Sequence, residues 1–285
     1  MSTTNTERTT AKRTDALLFA LLVILAALFL FPILLVFLNS FKSSLFVSGE
    51  PFSLPTGESF VGLQNYVQGL RTSGFFYAIL RSVYISVVSV LVLGIACSMC
   101  AWYLARRDSK FCHILYYVLI FGMVVPFQMV MYSATLVIGR TGLNNVITMP
   151  LVYLGFGASL TVFVLFGFIR SLPLAVEEAA MIDGCSPIGT FFHVVLPLLR
   201  PSFISVSVLN AMWIWNDYLL PYLLLGSRRQ TVPVAIQLSM QGAYGSTNLG
   251  GLMAMLVLSM IPIVIFYLVG QKHILEGVSL GAVKG

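Results

Sequence analysis

Apolar residues in this chain run in long unbroken stretches separated by short charged or polar segments, and polar positions rarely interrupt them. A helix needs roughly 20 apolar residues to cross a ~30 Å hydrocarbon layer. Six stretches reach that scale. The first spans Ala16 to Leu38 between Asp15 and Lys42, and the second Ser82 to Ala105 between Arg81 and Arg106. The third extends from Ile114 to about Ile138, and the fourth from about Val146 to Ile169, ending at Arg170. The fifth follows Arg200-Pro201 and ends near Leu220, and the sixth occupies Gly250 to Gly270, before Lys272. These runs are too long for buried strands, and a membrane barrel would alternate apolar and polar residues instead. The expected fold class is all-α: an integral membrane protein with six transmembrane helices.

Composition agrees, with 58% hydrophobic and 9% charged residues. The basic tail (Arg8, Lys12, Arg13) ahead of the first stretch imitates a secretory signal, but the stretch is too long for one and lacks a small-residue cleavage site. It is expected to stay as the first span. Basic residues are retained on the cytoplasmic side of short loops. With the N-terminus inside, ten basic residues are cytoplasmic: Arg8, Lys12, Arg13, Arg106, Arg107, Lys110, Arg170, Arg200, Lys272 and Lys284. Six lie outside (Lys42, Arg71, Arg81, Arg140, Arg228, Arg229), which accounts for all 16. Both termini are therefore expected in the cytoplasm, and the net charge of +6 follows from topology. No basic cluster interleaved with aromatics suggests a nucleic-acid partner.

The chain divides into a cytoplasmic tail (1–15), the first span with its outer loop (16–75), a five-helix core (76–271) and a cytoplasmic C-terminal tail (272–285). The outer loop carries Pro51, Pro55, Gly57, Gly62 and Gly69, with one short helix expected near Leu63 to Leu70. Cys97 and Cys100 form a C-x-x-C, but on a membrane helix that spacing only sets two small apolar residues on one face. His113, His193 and His273 are too scattered for a metal-ligand pattern, and no metal site is expected.

The cytoplasmic connection 170–200 carries the most information. Pro173 suits the first position of a short helix, where its missing N–H had no partner anyway, and Glu177 and Glu178 suit the early turns electrostatically. Gly184 can end that helix in the left-handed conformation, and Ser186-Pro187 supplies an N-cap and a new first turn, expected to run to about Val195. The result is a helix-turn-helix between spans four and five, with Ala179, Ala180, Met181 and Ile182 beside Glu178 and Asp183. Helices that lie on lipid headgroups usually carry Lys and Arg on the polar face. This one carries three acids, which points to a groove on a protein partner.

The run Glu178-Ala179-Ala180, three residues, Gly184, nine residues, then Val194-Val195-Leu196-Pro197 resembles the cytoplasmic signature of binding-protein-dependent ABC permeases. Val194 stands at the position of an isoleucine. The C-terminal Gln271-Lys272 and Gly281-Ala282-Val283-Lys284-Gly285, and Trp215-Asn216-Asp217-Tyr218-Leu219-Leu220-Pro221, are similar to the maltose-type sugar permeases. The resemblance implies the ABC importer permease fold. It implies a complex in the bacterial cytoplasmic membrane with a second permease subunit, two cytoplasmic ATPase subunits and an extracytoplasmic solute-binding protein. Glu178, Ala179, Ala180, Asp183, Gly184, Leu196 and Pro197 would form a coupling element seated on an ATPase. The tail Gly281 to Gly285 would reach the ATPase interface, and the loop between Gly226 and Asn248 would face the binding protein. ATP and Mg would be bound by the ATPases, and this chain would bind no cofactor.

The chain has no Gly-Lys dipeptide, hence no phosphate-cradling P-loop, and no grouped nucleophile, base and acid. No catalytic residue is expected. Asp217 is an ionisable residue within a membrane segment, which is a functional hypothesis by default. Asn210, Trp213 and Asp217 fall on one helical face, with Asn216 beside them, and could present an amide, an indole and a carboxylate to a sugar pathway. Trp213 and Trp215 equally suit an interfacial aromatic belt, and Asp217 a helix-packing or gating role, and both readings stay open. The alternative function is an ion-gradient-driven secondary carrier with Asp217 as its ion site.

Overall fold

The computed structural model describes residues 3–72, 74–242 and 248–282, and everything described is helix, turn or loop apart from one isolated bridge between Lys42 and Phe60. The chain separates into two compact units, residues 1–73 with 239–258, and residues 74–238 with 259–285.

The smaller unit begins with α1 (Thr3–Asn39), followed by α2 (Ser44–Gly49), a 3-10 turn (Gly57–Ser59) and α3 (Gln64–Thr72). α3 is the short helix expected near Leu63 to Leu70. No residue in the apolar window of Asp15–Asn39 is buried among the described residues, so most of this helix surface calls for lipid or another protein as its solvent. The turns that follow are tied by polar contacts. The Asn65 amide donates to the carbonyls of Ser40 and Lys42, each at 2.8 Å, and the hydroxyls of Ser40 and Tyr66 lie 2.6 Å apart. Lys42 is fully buried, and its ammonium donates to the Glu50 carbonyl (2.9 Å) and the Ser53 hydroxyl (3.2 Å).

The larger unit holds α4 (Phe75–Arg106), α5 (Lys110–Val124), α6 (Phe127–Arg140), α7 (Met149–Ile169), α8 (Leu174–Ile182), α9 (Pro187–Thr190), a π-turn (Phe191–Val195), α10 (Leu196–Leu198), α11 (Arg200–Asn216) and α12 (Leu219–Leu225). α13 (Val232–Met240) lies almost wholly within it, and α14 (Leu249–Ala282) gives its first residues to the smaller unit and the rest to the larger. α4, α7 and α11 form the centre. Hydrophobic burial cannot drive helices together in lipid, so close approach rests on small residues. α4 supplies them on its buried face as Ser82, Ser86, Ser89, Gly94, Cys97, Ser98 and Ala101. Gly157 on α7 answers with equal economy, since a Cβ there would meet Leu93 at 3.0 Å and Trp213 at 3.3 Å. Trp215 is buried too, its indole donating to the Ser259 carbonyl at 3.2 Å, which removes it from any interfacial aromatic belt.

Among the described residues four helical stretches are long and apolar enough to cross a membrane alone: Asp15–Asn39, Phe75–Arg106, Met149–Ile169 and Leu249–Leu268. The other two expected spans are broken. The third is not one helix from Ile114 to Ile138 but the pair α5 and α6, bent by 110°. Pro126 has no N–H to continue the ladder, and its ring disfavours helical ψ in the residue before it, so Val125 is extended at φ −80°, ψ 111°. The fifth ends at Asn216 instead of Leu220, because Asp217 is extended (ψ 120°) and α12 begins afresh. Its inner end bends by 79° against the segment Pro187–Leu198.

At Gly250 a Cβ would meet the Asn65 side chain and the Lys42 carbonyl oxygen, both at 2.6 Å, so the approach is limited by backbone. Gly250→Ala is expected to destabilise the protein by about 1–3 kcal/mol. Gly167→Ala, on an open face of α7, is expected to be nearly neutral. Thermal unfolding of the two variants in detergent checks the contrast.

Candidate functional site

Two places in the larger unit gather chemistry: the loop between α7 and α11, and a cavity beside the broken helices. In the loop, α8 starts at Leu174, so Pro173 is the capping residue (φ −62°, ψ 126°) and not, as expected, the first helical one. Ile182 ends the helix, and Gly184 takes φ +88°, a conformation that side chains with a Cβ rarely adopt. Its N–H donates to the Met181 carbonyl (3.1 Å) and that of Cys185 to Ala180 (3.0 Å), closing the last turn. The Ser186 hydroxyl then accepts from Gly189 N–H at 3.1 Å and Pro187 opens α9.

The second loop helix does not stop at Val195. It continues through the π-turn into α10, as far as Leu198. Pro197 cannot donate to the carbonyl one turn back, and Leu196 N–H instead reaches five residues back to the Phe191 carbonyl, widening the turn. Leu196 is half-buried and Pro197 exposed.

The two faces of α8 differ sharply. Glu178, Ala179, Met181, Ile182, Asp183 and Gly184 are exposed, Ile182 to 85%, while Ala180 is half-buried. Glu177, equal to Glu178 in any reading of the sequence, points the other way and is 2% exposed. The outward face therefore carries two acids rather than three. The Glu177 carboxylate accepts from Arg106 through Nε (2.9 Å) and Nη2 (2.7 Å) on Oε1, and from the Trp102 indole on Oε2 at 2.8 Å. Arg106 also donates to the Leu172 carbonyl at 3.2 Å, and the Trp102 ring lies against buried Phe191, centroids 5.6 Å apart. Removing one partner of a buried ion pair costs about 3–5 kcal/mol, since the other charge is left stranded. Residues 71 positions apart carry no local sign of pairing, and only the packing reveals this knot.

The cavity, about 710 Å³, is lined by both halves of the break at Val125-Pro126, by Phe127 and Gln128 of α6, by Gly155, Phe156 and Ser159 of α7, and by Trp213, Asp217, Leu219 and Leu220. Two of the expected pathway residues, Trp213 and Asp217, do share its wall. Asn210 does not: it is buried, and its amide donates to the Thr161 hydroxyl at 2.9 Å, joining α11 to α7. Asn216 is exposed and donates to the Met212 carbonyl at 2.7 Å. Asp217 is fully engaged. Its Oδ2 accepts from the Tyr153 hydroxyl at 3.0 Å, and its Oδ1 accepts the N–H groups of Leu219 (3.1 Å) and Leu220 (3.4 Å), which caps α12. The Tyr153 ring stands edge-on to Trp213, centroids 5.5 Å apart. Sequence reasoning passed over Tyr153, Gln128 and Ser159, which are ordinary residues until the helix breaks bring them together. The expected tail contact is described only at Gly281 and Ala282, in the last turn of α14; Val283, Lys284 and Gly285 lie outside the described residues.

Residues 91–279 match the family described as binding-protein-dependent transport system inner membrane component. The probable starch degradation products transport system permease protein AmyC of Thermoanaerobacterium thermosulfurigenes is 36% identical over 265 residues, 92% of this chain and 94% of that protein. The multiple sugar-binding transport system permease protein MsmG of Streptococcus mutans is 34% identical over 273 residues, 93% and 96% of the two chains. Among solved structures, a bacterial ABC transporter involved in the import of the acidic polysaccharide alginate superposes with a TM-score of 0.77 over 92% of this chain and 97% of that one. At 23% identity that likeness concerns the fold alone.

Asp217→Ala would leave the Tyr153 hydroxyl and two N–H groups without their acceptor and is expected to cost about 1–3 kcal/mol. Tyr153→Phe removes a donor but strands nothing except one carboxylate oxygen facing the cavity, so it is expected to cost less; thermal unfolding in detergent orders the two. Gly184→Trp, forced into the left-handed region on an exposed turn, is expected to insert in the membrane normally and to lose association with its cytoplasmic partner, as read by co-purification.

Proposed function

The chain belongs to the binding-protein-dependent transport system inner membrane component family, and from that premise we propose that it forms half of the translocation pathway for a neutral sugar or oligosaccharide. It is a membrane permease component of an ABC importer and not an enzyme. The ion-driven carrier is not favoured: the family and the relatives are importer permeases, and the carboxylate that an ion site would need is occupied by a hydroxyl and two backbone N–H groups.

The observation that carries the coupling reading is the two-faced helix α8, anchored inward through Glu177 and presenting Glu178, Met181, Ile182 and Asp183 outward. An exposed mixed apolar and acidic ridge, held rigidly, suits a cleft on an ATPase subunit. In this reading loop 170–200 docks on one of two ATPases, which bind ATP and Mg, and the C-terminal tail reaches the same interface. The chain crosses the membrane six times, each bent pair counting once, with both termini cytoplasmic. The excess of basic residues in the inner segments supports that orientation. A second permease completes the pathway, and an extracytoplasmic binding protein delivers solute to the loop Gly226 to Asn248. Approach of the ATPases swings the spans between inward-open and outward-open arrangements.

The cavity supports the solute class. Its wall offers the rings of Phe127, Phe156 and Trp213, the polar side chains of Gln128 and Ser159, and the single charge of Asp217, with no Lys or Arg among its lining residues. Aromatic faces with a few placed polar groups suit a polyhydroxylated solute. A lone carboxylate without a cation opposes a polyanion.

Affinity purification of the tagged chain in mild detergent is expected to recover a second permease and a P-loop ATPase, with ATP hydrolysis stimulated by the solute-loaded binding protein. Recovery of a lone, ATPase-free chain would overturn this reading. In the reconstituted complex Trp213→Ala is expected to reduce uptake of neutral oligosaccharides about tenfold with assembly unchanged, matching a stacking contact of about 1–1.5 kcal/mol.

A further inference from the structure

The knot between Glu177, Arg106 and Trp102 does more than hold a loop in place. α4 is one unbroken helix of 32 residues, about 48 Å long at ~1.5 Å per residue. Its last turn touches the cytoplasmic loop at three separate places. Arg106, its final residue, reaches the Leu172 carbonyl ahead of α8 and the Glu177 carboxylate within α8. Trp102, one turn earlier, reaches the other carboxylate oxygen and packs on Phe191 at the start of the π-turn. Glu177 is 2% exposed and Phe191 fully buried, so water does not lubricate the joint. Arg gives a planar fork that fixes direction as well as distance, which a lysine would not.

Farther along, the Leu93 side chain of α4 sits against Gly157 of α7, with Trp213 of the cavity wall over the same glycine. The helix gripped by the loop is thus the helix against which the cavity wall is built. We infer that Glu177 is a positioning residue that locks α8 to α4, so that a displacement imposed on the outer face of α8 moves the whole of α4 as one rigid body. The inference rests on the coupling role of the loop proposed above. It assigns Glu177 and Glu178, adjacent and chemically identical, to different tasks: Glu178 faces the ATPase and Glu177 faces the membrane helix. A chain of contacts alone does not establish coupling; a demonstrated common movement does.

The test uses the full complex of this chain with its partner permease, ATPases and binding protein, in lipid nanodiscs. Native cysteines are replaced, and spin labels are placed at exposed Tyr77, near the outer end of α4, and exposed His193, in the loop. The distance between them is measured without nucleotide and after trapping with ADP and vanadate. In the otherwise wild-type complex the distance is expected to stay constant between the two states. In Glu177→Gln it is expected to shift by a few ångströms or to broaden on trapping, while the complex still assembles and still hydrolyses ATP. Trp102→Phe, which keeps the ring on Phe191 and removes only the indole donor, is expected to show the same change to a smaller degree, and it decides the matter if Glu177→Gln does not assemble. A distance that changes in the wild-type complex, or stays constant in the variants, would overturn the inference. A purified complex without any ATPase would remove the coupling reading itself, an outcome visible before any distance is measured.

Discussion

No backbone N–H or carbonyl in a hydrocarbon layer can borrow a partner from water, and most of this structure is a response to that constraint. It makes every crossing segment a helix. It also limits where a helix is allowed to stop, because a break leaves donors and acceptors open. Two of the breaks in the larger unit obey the limit visibly. The one at Val125-Pro126 borders the cavity, and the one at Asp217 is closed by that residue's own carboxylate, which takes two N–H groups of α12. A cavity is where irregular backbone is tolerated at membrane depth, so the breaks and the candidate pathway are aspects of one solution.

The same economy governs how the helices meet. In lipid, apolar surface gains little from contact, and the central helices approach through serines, glycines and alanines. Three of the polar groups buried between them find partners across helices: Asn210 joins α11 to α7, the Ser82 hydroxyl accepts Val232 N–H at the start of α13, and Tyr153 meets Asp217. Asn210 and Asp217, both expected in the pathway, each tie helices together through these bonds, Asp217 while also lining the cavity. Only Trp213 of the four pathway residues faces the cavity without a hydrogen-bonding duty of this kind to explain its place.

In the loop between α7 and α11 the problem is reversed, since short helices there are held by a few specific contacts. Gly184 and Ser186 fold it into two short helices, and the buried carboxylate of Glu177 welds one of them to α4. What remains exposed is a ridge of two acids and apolar side chains.

Much of this was legible in the residues alone. Unbroken apolar runs and the Glu178 to Pro197 pattern depend only on local composition and spacing, so they pointed to an all-α membrane chain, its family and a pair of short helices after α7. Hydropathy counts residues and ignores direction, which is why the third and fifth stretches passed as single spans although Pro126 and Asp217 interrupt them. Helical periodicity likewise put Asn210, Trp213 and Asp217 on one face, since it knows nothing of where the helix ends or which neighbour lies opposite. Tertiary structure decided what depends on partners distant in sequence. It turned Glu177 inward to Arg106 and left its twin Glu178 outside, and it brought two helix breaks together around one cavity. Contacts across 64 and 71 positions have no local signature, because the free energy that selects them exists only once the helices have packed.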